Sequence, residues 1–171
     1  MSLDNLAHKI AAQDQAAFGE LYEKLRRIVY SVCLGVVKNR GVAEELTQDT
    51  FVTVWQRSAE FRGKGYKTWV LTIARNKALN ELKRRKRETL TDFSEAENVA
   101  TYTVDAQVEN SVVLQLALNK LDETDRQIVL LRNAGMKAKE IAEFLDMPRG
   151  TVSWRYSEAI AILKKELGGE T

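Results

Sequence analysis

Apolar residues between positions 17 and 37 return every three or four places: Phe18, Leu21, Tyr22, Leu25, Ile28, Val29, Val32 and Val36. That spacing places them on one side of a helix. Asn39–Arg40–Gly41 is expected to close it, since Asn and Gly accept the positive φ of a helix exit. A second helix is predicted over about 42–58, with Ala43, Leu46, Phe51 and Val54 inward and Glu44 and Glu45 beside its positive end. Phe61 to Lys67, which holds Gly63 and Gly65, predicts a short loop. A third helix follows from about Thr68 to Arg87, with Trp69, Ile73, Leu79 and Leu82 as its apolar side.

The periodicity fails from Glu88 to about Asp105, where Thr, Ser, Asn and Glu dominate. It resumes in four shorter patterns at about 107–121, 123–133, 137–145 and 149–166. One Pro and nine Gly in 171 residues leave few interruptions to helix. The predicted fold is all-α: two small helical domains, 1–87 and 107–171, joined by a flexible acidic linker at 88–106. In the second domain, Ala138 to Tyr156 has helix-turn-helix logic. Ile141, Leu145, Met147 and Val152 face its small core, and Ala142 allows close approach of the two helices. Pro148 opens the second helix. Asp146 occupies the turn, where Asp accepts left-handed geometry better than most residues.

Charge changes this picture more than composition does. Residues 62–87 carry ten basic side chains (Arg62, Lys64, Lys67, Arg75, Lys77, Lys83, Arg84, Arg85, Lys86 and Arg87) against the single acid Glu81. Residues 88–110 carry six acids and no base, while the chain as a whole is only +2. Such segregation points to a polyanion-binding face followed by an acidic connector. On the third helix Arg75, Asn76, Lys77, Asn80, Lys83 and Arg84 group several polar groups on an exposed side, for phosphates and base edges. Phe61, Tyr66 and Trp69 are interleaved with Arg62, Lys64 and Lys67, which suits stacking on unpaired bases. Against that, Trp69 and Phe61 keep core register, and Tyr66 stands between the two readings. In the helix-turn-helix, Arg149, Ser153, Trp154, Arg155 and Ser157 lie on the side facing a DNA groove.

Other chemistry is not encouraged. The one histidine, His8, sits in a terminus expected to fray, and no catalytic or metal site and no cofactor are expected. Cys33, alone on an apolar helix, reads as a buried small hydrophobe, its alternative being a redox sensor. No apolar run reaches the roughly 20 residues of a membrane span, and the N-terminus has no signal-peptide core. No membrane insertion and a cytoplasmic location are the expectation.

The order of these parts resembles the extracytoplasmic-function sigma factors. The motifs are Asp14-Gln-Ala-Ala-Phe18 with Leu21-Tyr22, and Ala43-Glu-Glu-Leu46-Thr-Gln48-Asp49-Thr-Phe51 with Val54-Trp55. Then come Phe61-Arg-Gly63, Thr68-Trp69, Ile73-Ala74 and Asn76. The second domain adds Leu121-Asp122 with Arg126, Lys139-Glu140-Ile141-Ala142 and Gly150-Thr151-Val152. The resemblance implies a factor, itself no enzyme, that directs promoter-specific initiation by RNA polymerase. Glu44, Gln48, Asp49 and Arg57 would dock on the polymerase clamp. Arg62, Lys64, Tyr66, Arg75, Asn76, Asn80, Lys83 and Arg84 would read and melt the −10 element. Arg149, Thr151, Ser153, Trp154, Arg155 and Ser157 would read the −35 element, with a further face on the polymerase flap. An anti-sigma factor is the implied regulator. The linker would line the polymerase's RNA path or act as a plain tether. The recognition helix departs from the family in carrying only Arg155 as a base between Gly150 and Lys164. A stand-alone helix-turn-helix regulator and a protein-binding adaptor are the competing readings; neither uses both the basic helix and the 43–57 surface.

Overall fold

A computed structural model describes residues 2–91 and 106–168, with the side chains of 2–88 and 112–168. Eight α-helices form, and the described residues include no strand: α1 (Leu3–Ala11), α2 (Gln15–Val37), α3 (Arg40–Arg57), α4 (Tyr66–Thr91), α5 (Ala106–Asn119), α6 (Glu123–Asn133), α7 (Ala138–Leu145) and α8 (Arg149–Gly168). A 3-10 turn at Ser58–Glu60 follows α3. Short polar side chains start several helices by accepting from otherwise orphaned N–H groups. Asp14 accepts from Ala17 N–H at 3.2 Å, Asn39 from Val42 N–H at 3.0 Å, and Asp122 from Asp125 N–H at 2.8 Å.

Several expectations change in detail. The exit of α2 is made by Lys38, left-handed at φ 57°, and Asn39 instead caps α3. The N-terminus is helical, and Leu6, Ala7 and Ile10 of α1 enter the core. Asp4 of α1 accepts from the Tyr66 N–H at 3.0 Å, so α1 caps the first turn of α4 across 62 residues of chain. The inward face of α4 is Tyr66, Val70, Leu71, Ala74 and Ala78, with Trp69, Ile73, Leu79 and Leu82 only half-buried on its flanks. Pro148 precedes α8 as its cap, its carbonyl accepting from Val152 N–H. Helix α4 runs on through 88–91 into the stretch assigned to the linker. Residues 92–105 of that acidic linker lie outside the described residues.

One hydrophobic cluster runs through α1–α4 and continues into Ile128, Leu131, Met136, Ile141, Ala142 and Val152 of the second helical unit. A second cluster joins α5, α6 and α8 through Ala117, Leu118, Leu121, Val129, Ala159 and Leu163. Helix α6 therefore faces two cores, Ile128 and Leu131 toward one and Val129 toward the other. The two helical units are packed together.

Candidate nucleic-acid and partner surfaces

Three surfaces carry the residues singled out above. The first is the outer side of α3. Val42, Ala43, Leu46, Phe51 and Val54 are buried, which leaves Glu44, Gln48 and Asp49 exposed along the opposite side. Arg57 is exposed at the end of the same helix, but its Nε donates to Glu60 Oε2 at 2.8 Å. Thr47 and Thr50, both buried, satisfy their hydroxyls by donating to the carbonyls of Ala43 and Leu46 at 2.7 Å. Beside the polar row an apolar groove opens between α2 and α3, lined by Phe18, Tyr22, Phe51, Val52 and Trp55. Its rings meet edge-on, Phe18 and Trp55 with centroids 5.1 Å apart and Tyr22 and Phe51 at 4.9 Å. Val52 is 53% exposed at its rim. Periodicity alone did not mark Val52, although an apolar residue on the polar side of a helix was the available signal.

Cys33 lies under this surface, fully buried and free. Burial pushes its thiol up to about 12, against a smaller downward pull from the Thr47 hydroxyl. A group held that firmly in its neutral form is a poor nucleophile. The native chain is expected to leave Cys33 unmodified by a disulfide reagent until denaturant is added. Rapid modification of the native chain would reveal opening between α2 and α3 and revive a redox role.

The second surface is the turn before α4 and the helix itself. Gly63 and Gly65 both adopt φ 88°, and this folds Phe61 back onto α4. Phe61 and Tyr66 centroids are 4.9 Å apart, and Tyr66 and Trp69 stack at 5.5 Å with planes 15° apart. Tyr66 is fully buried, so it cannot offer its face to a base in this structure; its ring is a core element. Its hydroxyl has no hydrogen-bond partner among the described residues, and burial pushes its ionisation up to about 12. Arg62 is exposed but tied back, donating to the carbonyl of Ala59 at 2.8 Å.

Along α4, Asn76, Asn80 and Lys83 are exposed, as is Lys64 in the preceding turn. Arg75 is half-buried, with its guanidinium 5.8 Å from the ring centroid of Phe144 on α7 and its Nε without a hydrogen-bond partner among the described residues. Arg84 bonds Glu81 and Glu88, and Arg85 also bonds Glu81. The Glu81 carboxyl is held below its ordinary range chiefly by the Arg84 hydrogen bond. Arg84 is thus engaged within its own helix, and the charge block is partly neutralised there. Lys67 bonds Glu140 of α7 at 2.5 Å.

The third surface is the helix-turn-helix. Asp146 takes the left-handed turn at φ 55°, and Ile141 and Val152 are fully buried between the two helices. Arg149, Thr151, Ser153 and Ser157 are exposed, and Trp154 is 64% exposed. Arg155 is half-buried and points instead toward α6, where it meets Asp125 at 2.9 Å and Asp122 at 3.5 Å. Its availability to phosphate is reduced accordingly. On the packed pair α5 and α8, Val113, Leu116, Ile162 and Leu167 remain exposed, an apolar feature absent from the sequence expectations.

Among the described residues no cluster of His, Cys, Asp and Glu could hold a metal ion, and no helix is long and apolar enough to cross a membrane.

Comparison with known proteins matches this layout. The family described as Sigma-70 region 2 matches residues 21–88, and that described as Sigma-70, region 4 matches residues 111–163. The ECF RNA polymerase sigma factor SigK of Mycobacterium tuberculosis is 29% identical over 172 residues, covering 95% of this chain and 91% of its own. The SigK of Mycobacterium sp. strain JLS is 25% identical over 175 residues, covering 97% and 91%. Among solved structures, CnrH in complex with the cytosolic domain of CnrY superposes with a TM-score of 0.68 at 23% identity, covering 97% of each chain. The sigma factor RpoE in complex with the anti-sigma factor NepR from Bartonella quintana gives 0.67 at 22% identity, covering 90% of this chain and 98% of that one. These two show the same fold. With both family regions in order across two packed helical units, the chain belongs to the extracytoplasmic-function sigma factors of the sigma-70 family, which bind RNA polymerase and direct promoter-specific initiation.

Proposed function

We propose that the work of initiation is divided among the three surfaces, with no catalysis by the chain itself and a cytoplasmic site of action. The observation that carries this reading is the α3 face, where a polar row of Glu44, Gln48 and Asp49 runs beside an exposed aromatic groove. A charged rim around an apolar centre is how partner helices are recognised, the centre contributing affinity and the rim orientation. Arg57 extends the rim. The occupant is the clamp of core RNA polymerase.

The −10 element is read by α4 and the turn before it. Asn76, Asn80 and Lys83 are open to DNA, Lys64 and Arg62 flank them, and Arg75 and Arg84 contribute once their present partners are exchanged for phosphates. The −35 element is read by α8 through Arg149, Thr151, Ser153, Trp154 and Ser157. With Arg155 paired to Asp122 and Asp125, this module depends on shape and polar contacts more than on charge. The exposed apolar side of α5 and α8 serves the polymerase flap. The anti-sigma factor in the RpoE–NepR structure supports a regulator of the same kind for this chain.

Run-off transcription with purified core polymerase tests the reading. Promoter-specific transcripts are expected only when the chain is added. Specific duplex binding without polymerase, and no new transcripts, would identify a stand-alone regulator instead. Within the sigma reading, Asn80→Ala is expected to slow open-complex formation about tenfold, the worth of one base-edge contact of ~1–3 kcal/mol. Unchanged permanganate reactivity of the −10 region would remove Asn80 from that role.

A further inference from the structure

Helix α8 turns Val152, Ala159 and Leu163 into the core, which sets Gly150, Trp154, Glu158 and Ala161 on the opposite side. Trp154 is the bulkiest side chain there, and short neighbours surround it: Gly150 one turn before, Ser153 beside it and Ser157 one turn on. The residue accordingly stands 64% exposed, and a Cβ on Gly150 would meet nothing within 4 Å, so this side is open along the helix. Glu158 is exposed one turn beyond Trp154 and belongs to no ion pair among the described residues. Arg155, three residues earlier, is its counter-charge by helical spacing. That arginine is committed to α6 instead, 2.9 Å from Asp125 and 3.5 Å from Asp122. An uncompensated carboxylate beside an uncovered indole opposes binding to phosphates. What the pair can engage is base edges.

We propose that Trp154 and Glu158 together choose the bases of the −35 duplex, Glu158 accepting from the N4 amine of a cytosine and Trp154 packing on the methyl of a thymine within two base pairs of it. The inference rests on the −35 reading of α8 above and deepens it from a surface to the bases selected.

The chemistry of the groove selects these two bases. An ionised carboxylate only accepts hydrogen bonds. In the major groove guanine shows two acceptors and thymine another, so both repel it. Adenine sets its N6 donor beside the N7 acceptor, whereas cytosine shows its N4 donor alone. Thymine is the one base with a methyl group in that groove, and its O4 acceptor lies next to it. An indole offers an apolar face and a single N–H donor, which matches both features. Four residues of helix rise about 6 Å. That is less than two base steps of about 3.4 Å each, which sets the separation of the two bases. With Arg155 turned to α6, base contacts carry a larger share of the discrimination than they would beside a free cation.

Holoenzyme assembled from core polymerase and the full chain tests this by selecting from linear duplexes randomised across both promoter elements, the bound sequences being counted. The wild type is expected to enrich a −35 element with a cytosine, preferred at least about tenfold over guanine and thymine, and a thymine within two base pairs of it. Glu158→Gln adds an amide donor that suits the N6–N7 edge of adenine, so the cytosine-to-adenine ratio should fall at least about tenfold at that one position. Glu158→Ala should lose the cytosine preference while total DNA bound holds or rises, since a charge facing phosphates is gone. Trp154→Ala should flatten the thymine position and leave the cytosine. Both residues are exposed, and Gln and Ala are good helix formers, so α8 persists; unchanged helical circular dichroism verifies each variant. A wild-type −35 element without cytosine, or a Glu158→Ala chain that binds every sequence more tightly by the same factor, overturns the role of Glu158. A thymine position untouched by Trp154→Ala overturns the role of Trp154. A sharp −35 element indifferent to all three substitutions overturns the whole inference and leaves the −35 reading standing. Enrichment at −10 alone, with every base equal at −35, overturns that reading and the inference with it.

Discussion

Asp49→Arg will lower affinity for core RNA polymerase at least about tenfold and leave the unfolding midpoint unchanged. Asp49 is exposed on α3 and belongs to no ion pair among the described residues, so nothing in the fold depends on its charge. Substitutions at such positions ordinarily move stability by no more than ~0.5 kcal/mol. Binding differs because a reversed charge meets the partner with the wrong sign at every approach. Like charges brought together in an interface cost several kcal/mol, and ~1.4 kcal/mol is already tenfold. Gln48→Ala, which removes only a neutral polar group from the same row, should cost less. Fluorescence competition for core polymerase against a labelled wild-type chain measures both. Equal affinity for Asp49→Arg and wild type would move the interface off α3 and leave the aromatic groove without its proposed rim.

Most helix positions were legible because they depend on neighbours a few residues apart, whereas the end of α2 was not: Lys38 makes the exit and Asn39 caps α3. Asp146 could be assigned to the turn from its type and place alone. The inward side of α4 was not, because Ala74 and Ala78 carry little apolar signal, while the bulky Trp69, Ile73, Leu79 and Leu82 draw attention to the flank. Small residues face inward there because α4 packs against both α2 and α3. Helix α1 was hidden for a related reason: nine residues with three core contacts give no sustained period.

The candidate site was legible as a block of charge and much less as individual contacts. Ten bases in 26 residues mark a polyanion surface whatever the fold. Which of them are free depends on partners that sequence distance conceals. Lys67 finds Glu140 across 73 residues, and Arg155 finds Asp125 across 30. Arg84 finds Glu81 and Glu88 within one turn on either side, a pairing that helical spacing could have announced. Arg126 stood out only as part of a motif, and its hydrogen bonds to the Gly35 carbonyl, at 3.0 and 2.7 Å, cross 91 residues of chain.

Tyr66 separates packing from DNA contact most sharply, because the two roles predict opposite results for its variants. Tyr66→Ala will destabilise the first helical unit by about 3–5 kcal/mol, the usual cost of emptying an aromatic site in a core. Its ring lies against both Phe61 and Trp69, and its backbone N–H is the one capped by Asp4, so the loss loosens the turn that aims α4. Tyr66→Phe keeps the ring and removes a buried hydroxyl that has no hydrogen-bond partner among the described residues, so stability should hold or rise by up to ~1 kcal/mol. Promoter opening by Tyr66→Phe should match wild type, and urea unfolding gives the two stabilities. The same burial fixes a pH signature. With ionisation at about 12 in the folded chain against an ordinary 10, the unfolded chain loses its proton first. The contribution is therefore complete below pH 10 and lost as pH rises from there through 12, and Tyr66→Phe should lack it. A Tyr66→Phe chain of full stability that opens promoters poorly would place the hydroxyl on DNA and require the aromatic turn to rearrange in the open complex.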